Sequence, residues 1–237
     1  MSFPDRSTGA WWWTWRWRFE ILMRWNERES VKLCRELVKP GMTVIDIGAH
    51  IGYYTRLLSE LVGSSGRVFA FEAHPDNYAV VKQNLRARKY SNVEMYNCAV
   101  SDQKGKMQLY VSPGSSNHSL LAGYTEASGT IDVESITIDS FLSEKGIKSV
   151  DFMKIDVEGA EPLVLAGMRQ TIVSSHRLSL LIEYNPQALQ SGNIIPEEFL
   201  RDLREMDFKI KMIPNDATMS QTLDGAENEV INILCRK

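Results

Sequence analysis

From Thr43 onward, short apolar runs alternate with stretches whose hydrophobic residues recur at three- and four-residue steps. Thr43–Ile47 (TVIDI) reads as a buried strand. Tyr53–Val62 reads as a helix closed by Gly63, and Arg67–Phe71 as a second strand. Residues 77–88 form a helical pattern with Val80, Val81 and Leu85 on its apolar side, and residues 93–97 read as a third strand. Further buried runs at 149–155 and 178–183 predict two more strands. A helical pattern at 196–206 precedes a closing antiparallel pair at 208–213 and 229–234. Upstream, residues 29–37 carry Val31, Cys34, Leu37 and Val38 at helical spacing before Pro40 and Gly41 stop the helix. Strand–helix alternation of this kind predicts parallel strands joined by right-handed crossovers, an α/β doubly wound sheet with a mixed edge.

Residues 101–142 break the rhythm. Residues 107–111 and 133–138 read as two extra strands around a polar loop, PGSSNHSLLAGYTEASG. A long irregular loop inside a compact domain is often functional, and this one precedes the densest polar motif, so a substrate-facing role is expected. No linker or repeat divides the rest. The organisation expected is a Trp-rich extension at 1–28 and one domain at 29–237, with an insertion at about 101–142. The extension holds all six tryptophans (Trp11, Trp12, Trp13, Trp15, Trp17 and Trp25), interleaved with Arg16, Arg18 and Arg24. Trp with Arg suits a membrane interface. A packed flank helix, a homodimer contact or a lid over the site are the competing readings.

Composition narrows the function. The chain has 237 residues, enough for one substantial core, and a net charge of −3, which disfavours a nucleic-acid partner. Its three cysteines, Cys34, Cys98 and Cys235, form no zinc or redox spacing and read as reduced thiols of a cytoplasmic protein. No apolar run reaches a membrane span, and no secretion signal is read at the N-terminus.

Two motifs carry chemistry. In VIDIGAHIGYYT a buried strand enters a glycine turn (Gly48, Gly52) and then a helix, and the next strand ends in FAFEAHP with Glu72 at its carboxyl tip. An acid there can accept both hydroxyls of a ribose, so a nucleoside-containing ligand is expected beyond the strand ends. The turn is GAHIG rather than a pyrophosphate-binding glycine pattern. Asp46 would repel a pyrophosphate but could hold an ammonium; a plain strand-end cap is the alternative. Asn97, Cys98 and Ala99 end the third strand, where an adenine edge would lie. Asp102, just beyond, is as well explained as a turn residue.

The second motif, DFMKIDVEGAEPLVLAG, places Asp156, Glu158 and Glu161 within six positions. Three carboxylates at a strand tip are costly unless they bind or catalyse. Asp156 and Glu158 could orient a substrate hydroxyl and take its proton. Glu158 and Glu161 could instead cap the next helix. Lys154 could hold a carboxylate ionised. Glu183, ending LLIEYNP, could join Asp156 and Glu158 as oxygen ligands of a divalent metal. Among the histidines, His50 sits in the glycine turn and His118, in the irregular loop, is the candidate base.

VIDIGAHIGYYT, FAFEAHP, NCAVSD, ITIDSFL and MKIDVEGAE, in that order, resemble the FkbM family of S-adenosylmethionine-dependent methyltransferases. The match spans residues 29–183. The resemblance implies a Rossmann-like class I fold: a mostly parallel seven-stranded sheet with a C-terminal antiparallel pair and an inserted hairpin. It implies S-adenosylmethionine as cofactor and O-methylation of a sugar, glycan or small metabolite. Asp46, Gly48, Ala49, His50 and Gly52 would surround the methionyl part. Glu72 and Ala73 would lie at the ribose, residues 97–99 at the adenine, and Asp156 and Glu158 beside the reacting centre. His50 stands where the family usually shows asparagine. Competing readings are a nucleic-acid methyltransferase, invited by Asn185-Pro186 although one strand too late for the base-methylating motif, and a membrane-associated binding protein. A peripheral enzyme would combine the last with catalysis.

Overall fold

The computed structural model describes residues 27–86, 90–113, 117–124, 127–213 and 230–237. The Trp-rich segment, residues 11–25, lies outside them. Helix α1 (Arg28–Leu37) leads into β1 (Thr43–Ile47), α2 (Tyr53–Val62), β2 (Arg67–Phe71), α3 (Pro75–Asn84) and β3 (Val93–Tyr96). The insertion follows as β4 (Ala99–Val100), β5 (Gly105–Val111), β6 (Gly129–Ile136) and α4 (Ile138–Lys145). The chain continues through β7 (Phe152–Ile155), α5 (Glu161–Ala166), α6 (Arg169–Ser174) and β8 (Ser179–Tyr184). It closes with α7 (Pro186–Ser191), α8 (Pro196–Glu205), β9 (Lys209–Ile213) and β10 (Ile231–Arg236). Among the described residues no helix is long and apolar enough to cross a membrane.

Seven strands form one sheet in the order β3-β2-β1-β7-β8-β10-β9. The first five pair in parallel, and β10 runs against both of its neighbours. This is the mostly parallel Rossmann-like sheet expected, with the antiparallel pair at its edge. The two inserted strands form a hairpin, and β4 pairs with β6 in a small second sheet.

Strand parity explains where the polar residues go. Successive side chains of a strand point to opposite faces. Ile45, Ile47, Phe69, Phe71, Met153, Ile155, Leu180 and Ile182 fill the core on one face. Val44, Val68, Phe152 and Leu181 pack on the other, against Cys34 of α1 and Tyr54, Leu58 and Val62 of α2. Asp46, Glu72, Lys154, Asp156 and Glu183 all share the parity of this second set. In register, Asp46 lies opposite Lys154 in β7 and Ala70 in β2. Each strand is therefore apolar along its length and becomes polar on one side at its carboxyl tip.

Several boundaries differ from the sequence pattern. The helix expected at 77–88 runs from Pro75, because proline fits a first helical position and the His74 ring nitrogen accepts the Asp76 N–H at 3.3 Å. The strand expected at 133–138 stops at Ile136. Thr137 caps α4, its hydroxyl accepting the Ser140 N–H at 3.0 Å, so ITIDSFL is a strand end, a cap and a helix start.

Candidate active site

The carboxyl tips of β1, β2, β7 and β8 open into one pocket with a cavity volume of about 210 Å³. Its walls include Asp46, Gly48, Ala49, His50, Glu72, Ala73, Cys98, Ala99, His118, Lys154, Asp156, Glu158 and Glu183. The structure thus gathers most of the sequence candidates into a single hollow.

Other candidates stand elsewhere. Gly52 is absent from the lining: a Cβ there would lie 2.3 Å from Val81, so this glycine lets α2 start against α3. Asn97 also lies outside the lining. Its amide donates to the carbonyls of Glu72 (2.8 Å) and Ala73 (3.0 Å), which fixes the β2 tip from behind. Asp102 is an exposed turn residue.

At the β1–β2 side the turn is closed on itself. Gly48 and Ala49 both donate their N–H to the Phe71 carbonyl, at 3.0 and 2.9 Å. Gly48 has φ +83°, and a Cβ on it would lie 1.8 Å from the Asp156 carbonyl, so here the glycine serves the join between β1 and β7. The His50 N–H donates to Glu72 Oε2 (2.7 Å), and the His74 N–H to Oε1 (2.9 Å). Burial pushes the Glu72 carboxyl up to about 7 against these hydrogen bonds and one from Asn77. Burial also pushes Asp46 up to about 6, opposed by the Thr55 hydroxyl, which donates to Oδ2 at 2.5 Å, and by Lys154.

Beside Glu72 the wall is apolar. Leu109 and Leu120 of the insertion pack with Ala73 and Ala99. His118 stacks on His74 with ring centroids 4.3 Å apart, and burial lowers its pKa to about 4. His118 is therefore neutral across the physiological range and accepts the Ser112 N–H at 3.2 Å. With Nδ1 engaged by that N–H and its basicity lowered by burial, His118 is poorly suited to the role of base expected from sequence.

The β7–β8 side is acidic. Carboxylate oxygens of Asp156, Glu158 and Glu183 lie within 4.8 Å of one another. Such an oxygen set suits a hard cation, and the chain itself already engages one member. Lys154 Nζ donates to Asp156 Oδ2 at 3.0 Å. Lys154 is 2% exposed and lies 5.2 Å from the Tyr54 ring centroid. Burial pulls its ammonium pKa down, but Asp156, Glu183 and Glu27 outweigh that and raise it. Burial, with Asp156 beside it, pushes Glu158 up to about 8 and Glu183 well above the carboxylate range. Glu161 does not line the pocket. It is buried beneath the turn, and its Oε1 accepts the N–H groups of Val157 (3.1 Å) and Gly159 (3.3 Å). These donors precede α5, which has no side-chain cap, so Glu161 ties down the turn rather than capping the helix.

Sequence reasoning missed Thr55, Asn77, Leu109, Leu120 and Tyr124. Thr55 and Asn77 stand in the first turns of α2 and α3, the place where a helix following a binding strand reaches back to the strand tip. The other three come from the insertion, whose path no local pattern specifies.

Residues 46–210 match the model of the FkbM methyltransferase domain. The chain is 26% identical over 221 residues to the 2-O-methyltransferase NoeI of Sinorhizobium fredii, covering 85% of each chain. It is 29% identical over 161 residues to the 31-O-demethyl-FK506 methyltransferase FkbM of Streptomyces tacrolimicus, covering 55% of this chain and 61% of that one. It is 24% identical over 195 residues to the hexuronic acid methyltransferase AglP of Haloferax volcanii, covering 80% and 78%. Among solved structures, the FkbM methyltransferase of Methylobacillus flagellatus superposes with a TM-score of 0.54 at 15% identity, covering 86% of this chain and 50% of that one. A Streptococcus mutans methyltransferase in complex with S-adenosylhomocysteine superposes at 0.55 with 10% identity, covering 90% and 97%. With the family model spanning most of the domain and the pocket at the strand tips it requires, the chain belongs to the FkbM family and is an S-adenosylmethionine-dependent methyltransferase.

Proposed function

We propose that this enzyme methylates a hydroxyl oxygen of a sugar, glycan or related small metabolite, with Glu158 accepting the hydroxyl proton. The observation that carries the reading is the division of the pocket. A carboxylate fixed by backbone N–H groups and an apolar slot lie on one side, and a convergent acidic group lies on the other. The pocket fits the cofactor. Glu72 has both oxygens locked toward the cavity and would accept the ribose hydroxyls. Ala73, Cys98, Ala99, Leu109 and Leu120 would enclose the adenine, with His118 at the edge. Asp46 would face the methionyl ammonium. The turn at Gly48 and Ala49 supplies close approach only, since its N–H groups are spent on Phe71.

When bound, the cofactor supplies a methyl group activated on a sulfonium. The chain's own residues orient the acceptor oxygen and remove its proton. Lys154 pairs with Asp156 at 3.0 Å, which fixes that carboxylate in a place suited to hold the acceptor hydroxyl in line. Glu158, pushed up to about 8 at the acceptor end, is a stronger proton acceptor than an ordinary carboxylate. The names of NoeI and FkbM specify an oxygen as the methylated atom in those proteins, which supports the same chemistry here.

The acidic mouth also speaks to the acceptor. Asp156, Glu158 and Glu183 already raise one another's pKa there, so a further anionic group next to the reacting hydroxyl is disfavoured. Neutral or amino-substituted hydroxyl compounds are the expected acceptors, in contrast to the acid named for AglP. The test is transfer of labelled methyl from S-adenosylmethionine onto matched panels of neutral sugars, amino sugars and uronic acids. Methyl ethers on the first two support the reading; a preference for uronic acids, or label on nitrogen alone, overturns it.

A further inference from the structure

The turn between β7 and α5 carries Glu158 in a backbone form that its own side chain disfavours. Glu158 has φ +53°, a left-handed conformation uncommon for a non-glycine residue, and Gly159 follows at φ +95°. Such a form persists only where the surroundings fix the flanking peptides. The Asp156 N–H donates to the Ile47 carbonyl at 3.0 Å, and the Val157 N–H to Glu161 Oε1 at 3.1 Å. The next peptide, joining Glu158 to Gly159, is gripped at both ends. Its N–H donates to the same Glu161 oxygen at 3.3 Å, and its carbonyl accepts the Ser119 hydroxyl at 2.7 Å.

The two grips differ in origin. Glu161 belongs to the turn's own motif. Ser119 belongs to the insertion, 39 residues away, and is 1% exposed. Its backbone is seated independently of the turn, exchanging N–H···O bonds of 2.8 and 3.2 Å with Tyr110 of β5. Its hydroxyl oxygen accepts the Leu121 N–H at 3.0 Å, which leaves the hydroxyl hydrogen for the Glu158 carbonyl. His118 and Leu120, on either side of it, line the pocket. The hairpin thus delivers one buried donor to the backbone of an acid at the acceptor end.

We infer that Ser119 is a positioning residue for methyl transfer: its hydroxyl locks the Glu158–Gly159 peptide, and the locked peptide holds the Glu158 carboxylate at the acceptor hydroxyl. The inference rests on the reading of Glu158 as proton acceptor. Rotation of that peptide is the motion blocked, because a glycine follows it and Glu158 is relieved on leaving the left-handed region. Ser119→Ala removes the grip but keeps both backbone bonds to Tyr110, so its pocket-lining neighbours stay seated. Ser119→Thr restores the hydroxyl. Ser128→Ala deletes another insertion hydroxyl, one that bonds the Val111 carbonyl instead.

Full-length wild type, these three variants and Glu158→Gln would be crystallised with S-adenosylhomocysteine and assayed with tritiated S-adenosylmethionine on pooled neutral methyl hexopyranosides. In Ser119→Ala the Glu158–Gly159 peptide is expected to rotate and the carboxylate to be displaced; in Ser119→Thr and Ser128→Ala both stay as in wild type. The expected kcat falls about ten-fold in Ser119→Ala and stays within about two-fold of wild type in the other two. Acceptor KM and S-adenosylhomocysteine affinity stay within about two-fold in all three. An unmoved carboxylate in Ser119→Ala overturns the inference. So does a wild-type kcat in that variant, or an equal fall in Ser128→Ala. If Ser119→Ala does not fold, Ser119→Cys, a weaker donor of similar size, takes its place, and its kcat must still fall by about three-fold or more. If Glu158→Gln retains wild-type kcat, or no hexopyranoside is methylated by any form, the reading of Glu158 and its acceptor class fails. The crystal structures then judge the grip of Ser119 by themselves.

Discussion

Glu72 takes its hydrogen bonds from His50, His74 and Asn77, all within about twenty-five residues of it, whereas the Glu158 backbone is held by Ser119, 39 residues upstream. The two ends of the pocket also differ in charge. At the β1–β2 tips the acids are spaced by a strand and satisfied by N–H and O–H donors. At the β7–β8 tips, among the described residues, three carboxyl groups converge beside the Lys154 ammonium. The first arrangement recognises a fixed molecule through backbone geometry. The second stores electrostatic repulsion that a reacting hydroxyl, a proton or a cationic group relieves. A family can keep the first while varying the second, because the second depends on an inserted loop that the sheet does not dictate.

The contrast is broken most sharply by Glu158→Gln. Removing a positioned proton acceptor is expected to lower kcat by roughly 10²- to 10⁴-fold. Cofactor affinity should stay within about two-fold, since no residue that fixes Glu72 is touched. Calorimetry with S-adenosylhomocysteine alongside turnover measures both. Equal losses in the two would mean that the ends are not separable.

Gly48→Ala strikes the seam between them. Its Cβ meets the Asp156 carbonyl at 1.8 Å, and the φ of +83° adds strain. A destabilisation of roughly 2–4 kcal/mol is expected, which is several degrees in Tm for a domain of this size. Gly146→Ala is the control, because nothing lies within 4 Å of a Cβ there and its φ of +67° and ψ of 25° are an ordinary left-handed conformation. Equal Tm losses would show that the close approach of β1 to β7 is unimportant.

Glu72→Ala addresses the nucleoside end alone. The loss of charge-assisted hydrogen bonds should weaken cofactor binding by about 1.5–3 kcal/mol, or roughly ten- to a hundred-fold in Kd. At saturating cofactor, kcat should largely recover. A kcat that stays low at saturation would place Glu72 in the chemistry instead.

The same contrast explains what the sequence revealed. Thr43–Ile47, Tyr53–Val62 and Arg67–Phe71 were readable to the residue because pattern, glycine punctuation and contact partners all lie within thirty positions. Parity then assigns Asp46, Glu72, Lys154, Asp156 and Glu183 to one side of the sheet with no structure needed. Gly52 and Asn97 were misplaced for a shared reason: motif membership says a residue is near the turn, not which way it faces. Gly52 meets Val81 and Asn97 meets two carbonyls, neither visible from spacing. Helix α4 was hidden because Ile136 and Ile138 look like one alternating strand until Thr137 is recognised as a cap. Ser119 meets Glu158 and Tyr124 meets Asn185 across distant segments of the chain, contacts that no local pattern announces.

Burial of these acids also fixes how stability responds to pH. Asp46, Glu72 and Glu161 are raised by burial from ordinary values of 3.8, 4.5 and 4.5 to about 6, 7 and 7. Between those limits the folded protein keeps protons that the unfolded chain has released. Stability therefore falls as pH rises from about 4 to about 7. The raised Lys154 adds no slope there, because its ammonium is charged in both states until far higher pH. Without cofactor, Tm should be several degrees lower at pH 8 than at pH 5. Glu161→Gln isolates one contributor away from the pocket, since the glutamine oxygen can still accept the Val157 and Gly159 N–H groups. Its Tm should match wild type least closely at pH 8, where the buried charge is removed, and the slope between pH 5 and pH 8 should flatten. A wild-type Tm that rises across this interval, or a Glu161→Gln slope identical to wild type, would show that these carboxyls reach more water than their burial implies.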